Sequence, residues 1–209
     1  MAPKPEELHG SSAPQYDDLC QSMECHAQEV LFGLAYEYVF PGQKLLDIGI
    51  GTGLSASLFH KAGLEIYGLD FSEDMLRVCA KKGVARELKV CDLSQDFLPY
   101  QDGDFHHVSS CGVFHFIEDL NSVFGEVQRV MKSGGTFSFT TKDIQDGNAE
   151  YVDPGSEIEI YCHDLTKINT LANRHQFQQL KWLTFYMYDD LEKDKRSLFT
   201  AHVLKKIVQ

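Results

Sequence analysis

A buried strand that runs into three glycines at alternate positions limits what this chain can fold into more than any other feature. The stretch is Leu45-Leu46-Asp47-Ile48-Gly49-Ile50-Gly51-Thr52-Gly53. Glycine tolerates positive φ and has no Cβ, so this backbone can turn sharply and approach a ligand closely. Leu45, Leu46 and Ile48 are the apolar run of a strand covered on both faces. Residues 54–61 follow as a helix with Leu58 and Phe59 turned inward. Strand, glycine turn and helix make the first half of a βαβ unit, whose turn suits a nucleotide cofactor. Glycines also make ordinary turns, so the assignment requires acids at the ends of the following strands.

Those acids are present. Residues 65–69 read as a second strand ending on Asp70, 17 residues past Gly53, with Phe71 next. A carboxylate at this strand tip accepts hydrogen bonds from both hydroxyls of a ribose. Ser72 is the expected N-cap of a helix through Met75, Leu76, Val78 and Cys79. Residues 88–91 form a third strand ending on Asp92. Residues 107–111 form a fourth, running into Gly112 and the stretch Val113-Phe114-His115-Phe116. The candidate site residues therefore fall at the carboxyl ends of neighbouring strands, where open α/β sheets bind ligands.

Over residues 36–142 this pattern resembles the class I S-adenosylmethionine-dependent methyltransferases. The resemblance implies an α/β, Rossmann-like, mostly parallel seven-stranded sheet with helices on both faces, and S-adenosylmethionine as cofactor. It implies that Asp47, Gly49, Gly51 and Gly53 lie beside the methionine part of that cofactor. By the same resemblance Asp70, with Phe71 beside it, binds the ribose, Asp92 meets the adenine amino group, and the backbone of Leu93 reads the ring. Ser110, Cys111 and Gly112 would lie near the methionine and the transferred methyl. Residues 134–139 match the turn into strand five. The chain departs from the family at Phe105-His106, where Phe-Asp is common.

Two other functions share parts of the pattern. A nicotinamide dinucleotide fingerprint wants Gly-x-Gly-x-x-Gly/Ala, and counting from Gly51 puts Ala56 at its third small position, while counting from Gly49 puts Leu54 there. That NAD(P)-dependent oxidoreductase leaves Asp47 and Asp92 unexplained. A catalytically silent S-adenosylmethionine-binding protein acting through a partner would keep every cofactor motif, and only turnover distinguishes it.

The net charge of −12 argues against a nucleic-acid substrate, because affinity for phosphates rests on Lys and Arg. Lys81-Lys82, Lys193 to Arg196 and Lys205-Lys206 are short or mixed with acids, as solvated faces are. The expected acceptor is a small molecule, neutral or cationic. No apolar run approaches 20 residues and the first residues carry no secretion signal, so neither a membrane nor export is expected. Six cysteines without a C-x-x-C pair fit reduced thiols in a cytoplasm. The scattered His and Cys lack metal-ligand spacing.

Methyl transfer from a sulfonium needs the acceptor in line and water excluded. A base is required only when the attacking atom carries a proton. His115, between two phenylalanines beyond strand four, is the candidate base, with a packed aromatic-like role as its alternative. Cys111 has no cation adjacent in sequence to lower its pKa and reads as a small wall residue. His106 and His107 are expected at the surface, and His163 as a structural residue at the start of a late helix. Tyr16, Tyr36 and Tyr38 belong to the core or to the cleft.

The expected organisation is one domain over 1–209. Residues 1–14 form a tail, 15–40 a helical cover that closes over the cofactor, and 41–209 the α/β core with a loop insertion at 142–162. Within the core, a helix over 164–175 and strands at 178–188 and 197–205 complete the chain.

Overall fold

In the computed structural model, which describes residues 13–93, 97–144, 150–152, 158–190 and 195–207, the glycine motif does join a strand to a helix. A 3-10 turn (Ala13–Gln15) leads into α1 (Tyr16–Ser22) and α2 (Ala27–Ala35), and a second 3-10 turn (Tyr36–Tyr38) follows. Strands and helices then alternate as β1 (Lys44–Ile48), α3 (Leu54–Lys61), β2 (Glu65–Asp70), α4 (Glu73–Lys82) and β3 (Glu87–Val90). Next come β4 (Phe105–Ser110), a 3-10 turn (Phe114–Phe116), α5 (Asn121–Val130) and β5 (Met131–Lys142). A small hairpin of β6 (Glu150–Val152) and β7 (Glu159–Tyr161) precedes α6 (Leu165–Arg174), β8 (Phe177–Asp190) and β9 (Lys195–Lys206).

Seven strands form one sheet in the order β3-β2-β1-β4-β5-β9-β8, and β9 alone runs against its neighbours. This is the mostly parallel Rossmann-like sheet that the sequence predicts. Alternation along the strands divides the apolar residues between two layers. Leu45, Ile66 and Val203 pack with Ala35, Ala56 and Phe59 on one face. Leu46, Ile48, Leu69 and Val108 pack on the other with Phe124, Phe137 and Ile168. Phe124 sits at the centre of an aromatic group, its ring 5.4 Å from Phe137, 5.6 Å from Phe139 and 6.1 Å from Phe177.

Local signals set the helix ends. Ser72 accepts from the Met75 amide at 3.3 Å, and Gly83 in the left-handed region stops α4 after Lys81 and Lys82. At α6 the cap is Asp164, which accepts from the Lys167 amide at 2.7 Å. His163 instead is fully buried one residue earlier.

Several expectations need correction. The tail cannot include Ala13, which is 1% exposed in a 3-10 turn; residues 1–12 lie outside the described residues. The insertion carries the β6–β7 hairpin, and residues 145–149 and 153–157 lie outside the described residues. Leu58 is only half-buried beside the buried Phe59. His107 is not a surface residue: it is buried, with Nδ1 2.7 Å from Thr136 Oγ1 and Nε2 2.7 Å from Gln43 Oε1. Burial and the neighbouring His106 push its pKa down to about 4. His106 takes the place of the family's acid, accepting the Lys44 amide on Nδ1 at 3.1 Å. Among the described residues no helix is long and apolar enough to cross a membrane.

Gly135 lies where β5 crosses the irregular start of β4, and a Cβ there would stand 2.2 Å from the His106 carbonyl oxygen. Backbone cannot yield as a side chain does, so Gly135→Ala is expected to destabilise the protein by about 3 kcal/mol. Gly33, exposed in α2, supplies the contrast, because a Cβ added there would meet nothing within 4 Å. Gly33→Ala should stabilise by about 0.5–1 kcal/mol, since glycine costs a helix interior that much. Urea unfolding midpoints of the two variants check both signs.

Candidate active site

The turn after β1 is held by the end of β2. Gly49 and Ile50 both donate their amides to the Leu69 carbonyl, at 2.7 and 2.8 Å, and Gly51 donates to Asp70 Oδ2 at 2.8 Å. Gly49, Gly51 and Gly53 take φ of 70°, 55° and 85°, the left-handed region that side chains disfavour. At Gly49 a Cβ would also collide with Val113 at 2.2 Å. The turn borders a cavity of about 610 Å³ at the carboxyl ends of the central strands.

Ten of the predicted site residues line this cavity. Asp47, Gly49 and Gly51 come from β1 and its turn, and Asp70 and Phe71 from the end of β2. Asp92 and Leu93 follow β3, and Cys111, Gly112 and His115 follow β4. Gly53 and Ser110 are not in the lining. Gly53 is the N-cap of α3, where a Cβ would meet Cys79 Sγ at 2.9 Å, so it lets α3 and α4 approach. The Ser110 hydroxyl donates to the Ile48 carbonyl at 2.9 Å and ties β4 to β1 behind the wall.

The polar end of the cavity is electrostatically unbalanced. Asp47 is 1% exposed, and neither carboxylate oxygen has a hydrogen-bond partner among the described residues. Burial, and then the charge of Asp70, push its pKa up to about 8. Burial also raises Asp70, although amides of Ser72, Gly51 and Phe71 pull it back down. Ser55, in the first turn of α3, likewise has a buried hydroxyl without a partner. A buried, unpaired carboxylate is costly, and a cationic ligand group beside Asp47 would remove that cost. The N-terminus of α3, presented by Thr52, Leu54 and Ser55, suits an anionic group.

The opposite wall comes from distant parts of the chain. Tyr16, Cys20, Cys25 and Gln28 belong to the amino-terminal cover, Thr140 to β5, and Met187 and Phe199 to the β8–β9 hairpin. Of the three tyrosines, Tyr16 lines the cavity, Tyr36 is exposed and Tyr38 packs against the core layer. The His115 ring lies 4.0 Å from that of Phe116 and edge-on to Phe199 at 5.7 Å. His163 fixes this corner, with Nε2 3.0 Å from the Phe114 carbonyl and 2.9 Å from that of Ile117. Its own burial lowers its pKa, which keeps the ring neutral. Burial raises the Cys111 thiol far above its ordinary range, consistent with a wall residue.

Comparison with known proteins bears on the fold that carries this site. A family model described as a methyltransferase domain matches residues 46–139. Malonyl-[acyl-carrier protein] O-methyltransferase of Serratia marcescens is 27% identical over 186 residues, which cover 87% of this chain and 71% of that protein. With other curated methyltransferases the match spans about half of their length or less. A chain from the complex between the Haloferax volcanii Trm112 methyltransferase activator and a methyltransferase superposes with a TM-score of 0.78. Its identity is 17%, covering 96% of this chain and 98% of that one. Haemonchus contortus phosphoethanolamine N-methyltransferase 2, in complex with S-adenosyl-L-methionine, superposes with a TM-score of 0.66 at 17% identity, over 86% of this chain and 53% of that one. Residues 46–139 thus match a methyltransferase domain, and the fold is that of S-adenosylmethionine-dependent methyltransferases.

The state of Asp47 has a measurable effect on stability. Its folded pKa of about 8 lies above the ordinary carboxylate value, so the native state binds the extra proton between roughly pH 4 and 8. Its contribution is therefore fully favourable below that window and is lost as pH rises through it. Asp47→Asn should raise the melting temperature at pH 8, with a gain that shrinks toward pH 4. Scanning calorimetry across that range tests the sign.

Proposed function

We propose that this protein transfers the methyl group of S-adenosylmethionine to a small-molecule acceptor held between the strand ends and the amino-terminal cover. The observation that carries the proposal is the unpartnered, buried Asp47 carboxylate in the same cavity as Asp70. Asp47 would pair with the cofactor's ammonium, while the α3 N-terminus receives its carboxylate. Asp70 would accept from the ribose hydroxyls, Asp92 would take the adenine amino group, and the Leu93 backbone would meet the ring. A pyrophosphate, by contrast, would bring negative charge toward two buried acids.

Bound S-adenosylmethionine supplies an electrophilic methyl on a sulfonium. The chain supplies orientation and dryness. Phe116, Ile117, Met187 and Phe199 make the acceptor side largely apolar, and water excluded there cannot screen the reacting charges. His115 is the candidate base for an acceptor atom that must lose a proton. The cavity volume of about 610 Å³ falls in the range of small-molecule sites. A macromolecular phosphate backbone is disfavoured by the net charge of −12.

Two measurements test the cofactor. Binding a cation beside Asp47 drives off its proton, so affinity for S-adenosylmethionine should rise between pH 6 and 8 by up to about tenfold per unit. Calorimetry in buffers of different ionisation enthalpy should show proton release at pH 7. Asp70→Ala should weaken binding by about 1.5–3 kcal/mol, the range for hydrogen bonds to a charged group. Binding of a nicotinamide dinucleotide in place of S-adenosylmethionine would overturn the proposal.

The acceptor is sought by screening a metabolite library for cofactor-dependent methylated products. With it in hand, His115→Ala should lower kcat by about 100-fold and leave the cofactor dissociation constant unchanged. An unchanged kcat would assign the ring to packing alone.

A further inference from the structure

Where α1 ends, the cover brings two thiols together at the cavity wall. The chain turns back through Glu24, at a φ of 49°, and the Cys25 amide donates to the Cys20 carbonyl at 3.0 Å. With standard bond lengths, that contact keeps the two Cα atoms within about 7 Å, the reach of a disulfide. The side chains follow the backbone. The Cys20 thiol lies within interaction reach of the Tyr16 hydroxyl and of Cys25. Cys25 Sγ also lies 3.3 Å from Met187 Sδ on β8. Both thiols are half-buried and border the cavity.

The two sulfurs are chemically unequal. The hydrogen bond from Cys20, the Ala27 amide and the charge of His26 lower Cys25 against its burial, to about 7. The same hydrogen bond and burial raise Cys20. Cys25 is therefore the thiolate that attacks, since nucleophilicity belongs to the deprotonated form. Cys79, Cys91 and Cys162 are buried, and burial raises the thiols of Cys79 and Cys162.

We propose that Cys20 and Cys25 are a redox modification site, forming a reversible disulfide with low-molecular-weight disulfides such as oxidised glutathione, and that this bond alters cofactor binding. Cys25 thiolate attacks one sulfur of oxidised glutathione, and the first glutathione leaves as a thiolate. Cys20 then loses its proton and attacks Cys25 Sγ, expelling the second glutathione. The protein dithiol gives up two electrons and two protons, and one glutathione disulfide becomes two glutathione thiols. Oxidation removes the Cys25 thiol hydrogen that meets Met187, so the cover loses a tie to the β8–β9 hairpin.

The test equilibrates the full chain with reduced and oxidised glutathione, alkylates it, digests it with trypsin and weighs the peptide ending at Lys44. That peptide contains Cys20 and Cys25 and no other cysteine. It should appear without alkyl groups, two hydrogen atoms lighter than the unmodified dithiol peptide, with both thiols lost together. The dissociation constant for S-adenosylhomocysteine should weaken by about fivefold or more on oxidation, a usual size of coupling between sites. In Cys25→Ser that constant should no longer respond to oxidised glutathione. A lasting glutathione adduct on either cysteine, or full alkylation at every ratio, overturns the disulfide. Unchanged affinity after complete oxidation overturns its coupling to the site. The mass shift is read without cofactor, so a failure of S-adenosylhomocysteine to bind reduced protein would strike the proposed function and not the disulfide.

Discussion

The Leu69 carbonyl accepts two successive amides from the glycine turn, and the Asp70 carboxylate beside it accepts a third. Much of the cofactor side of the site depends on this knot. It fixes the turn to the end of β2, in register with Ile48 opposite Leu69. It also orients Asp70, whose other oxygen receives the Ser72 amide at 2.9 Å. The acid proposed to hold the ribose is thus also a structural acceptor for the loop proposed to lie beside the methionine. A change at either reaches the other through one hydrogen bond. The left-handed backbone at Gly49 makes the knot possible, because the space a Cβ would need is taken by Val113.

Two buried histidines of the sheet find partners that the Asp47 carboxylate in the cavity lacks among the described residues. His107 rests between Thr136 and Gln43, and His202 lies 3.0 Å from the Thr141 hydroxyl and stacks on Phe139 at 4.9 Å. Burial holds both rings neutral, at about 4 and about 3. Both nitrogens of His107 and Nε2 of His202 have protein partners, while His202 Nδ1 has none among the described residues. Asp47 and Ser55 have side-chain oxygens without a partner among the described residues, and both line the cavity. At Asp47 and Ser55 the unsatisfied polarity lies where a ligand could satisfy it, as expected when a scaffold gives up stability for binding.

The legible part of the sequence is the part built from neighbours. Strand, glycines and capping residues lie within a few positions of one another, so the β1–α3 and β2–α4 units and the acids after β2 and β3 are readable from spacing. The opposite wall is not, because its members meet only through the tertiary fold. Cys25 and Met187 touch across 162 residues, and nothing in either local sequence announces the contact. Gly134-Gly135 reads as a turn, yet it lies inside β5 beside the irregular pairing of Phe105 and His107 with that strand. His107 reads as a surface residue for a related reason: a polar side chain at a strand position is buried when its partners, here Thr136 and Gln43, arrive from other elements.

The amino-terminal cover divides into a fixed half and a loosely held half. α2 buries Ala27, Leu31 and Ala35 against the core, whereas α1 has no fully buried residue. What secures α1 is mostly polar. Asp17 accepts from the Thr52 hydroxyl at 2.6 Å and pairs with Lys82. The ion pair is about a third exposed, and such pairs contribute at most about 1 kcal/mol. Elements held this way belong to the low end of local stability. Of the two helices α1 is the more weakly held, and the turn that carries Glu24 and Cys25 joins it to α2. Because Thr52 belongs to the glycine turn, the same hydrogen bond that closes α1 also bears on the loop beneath it. Asp17 thus ties α1 directly to the floor of the cavity.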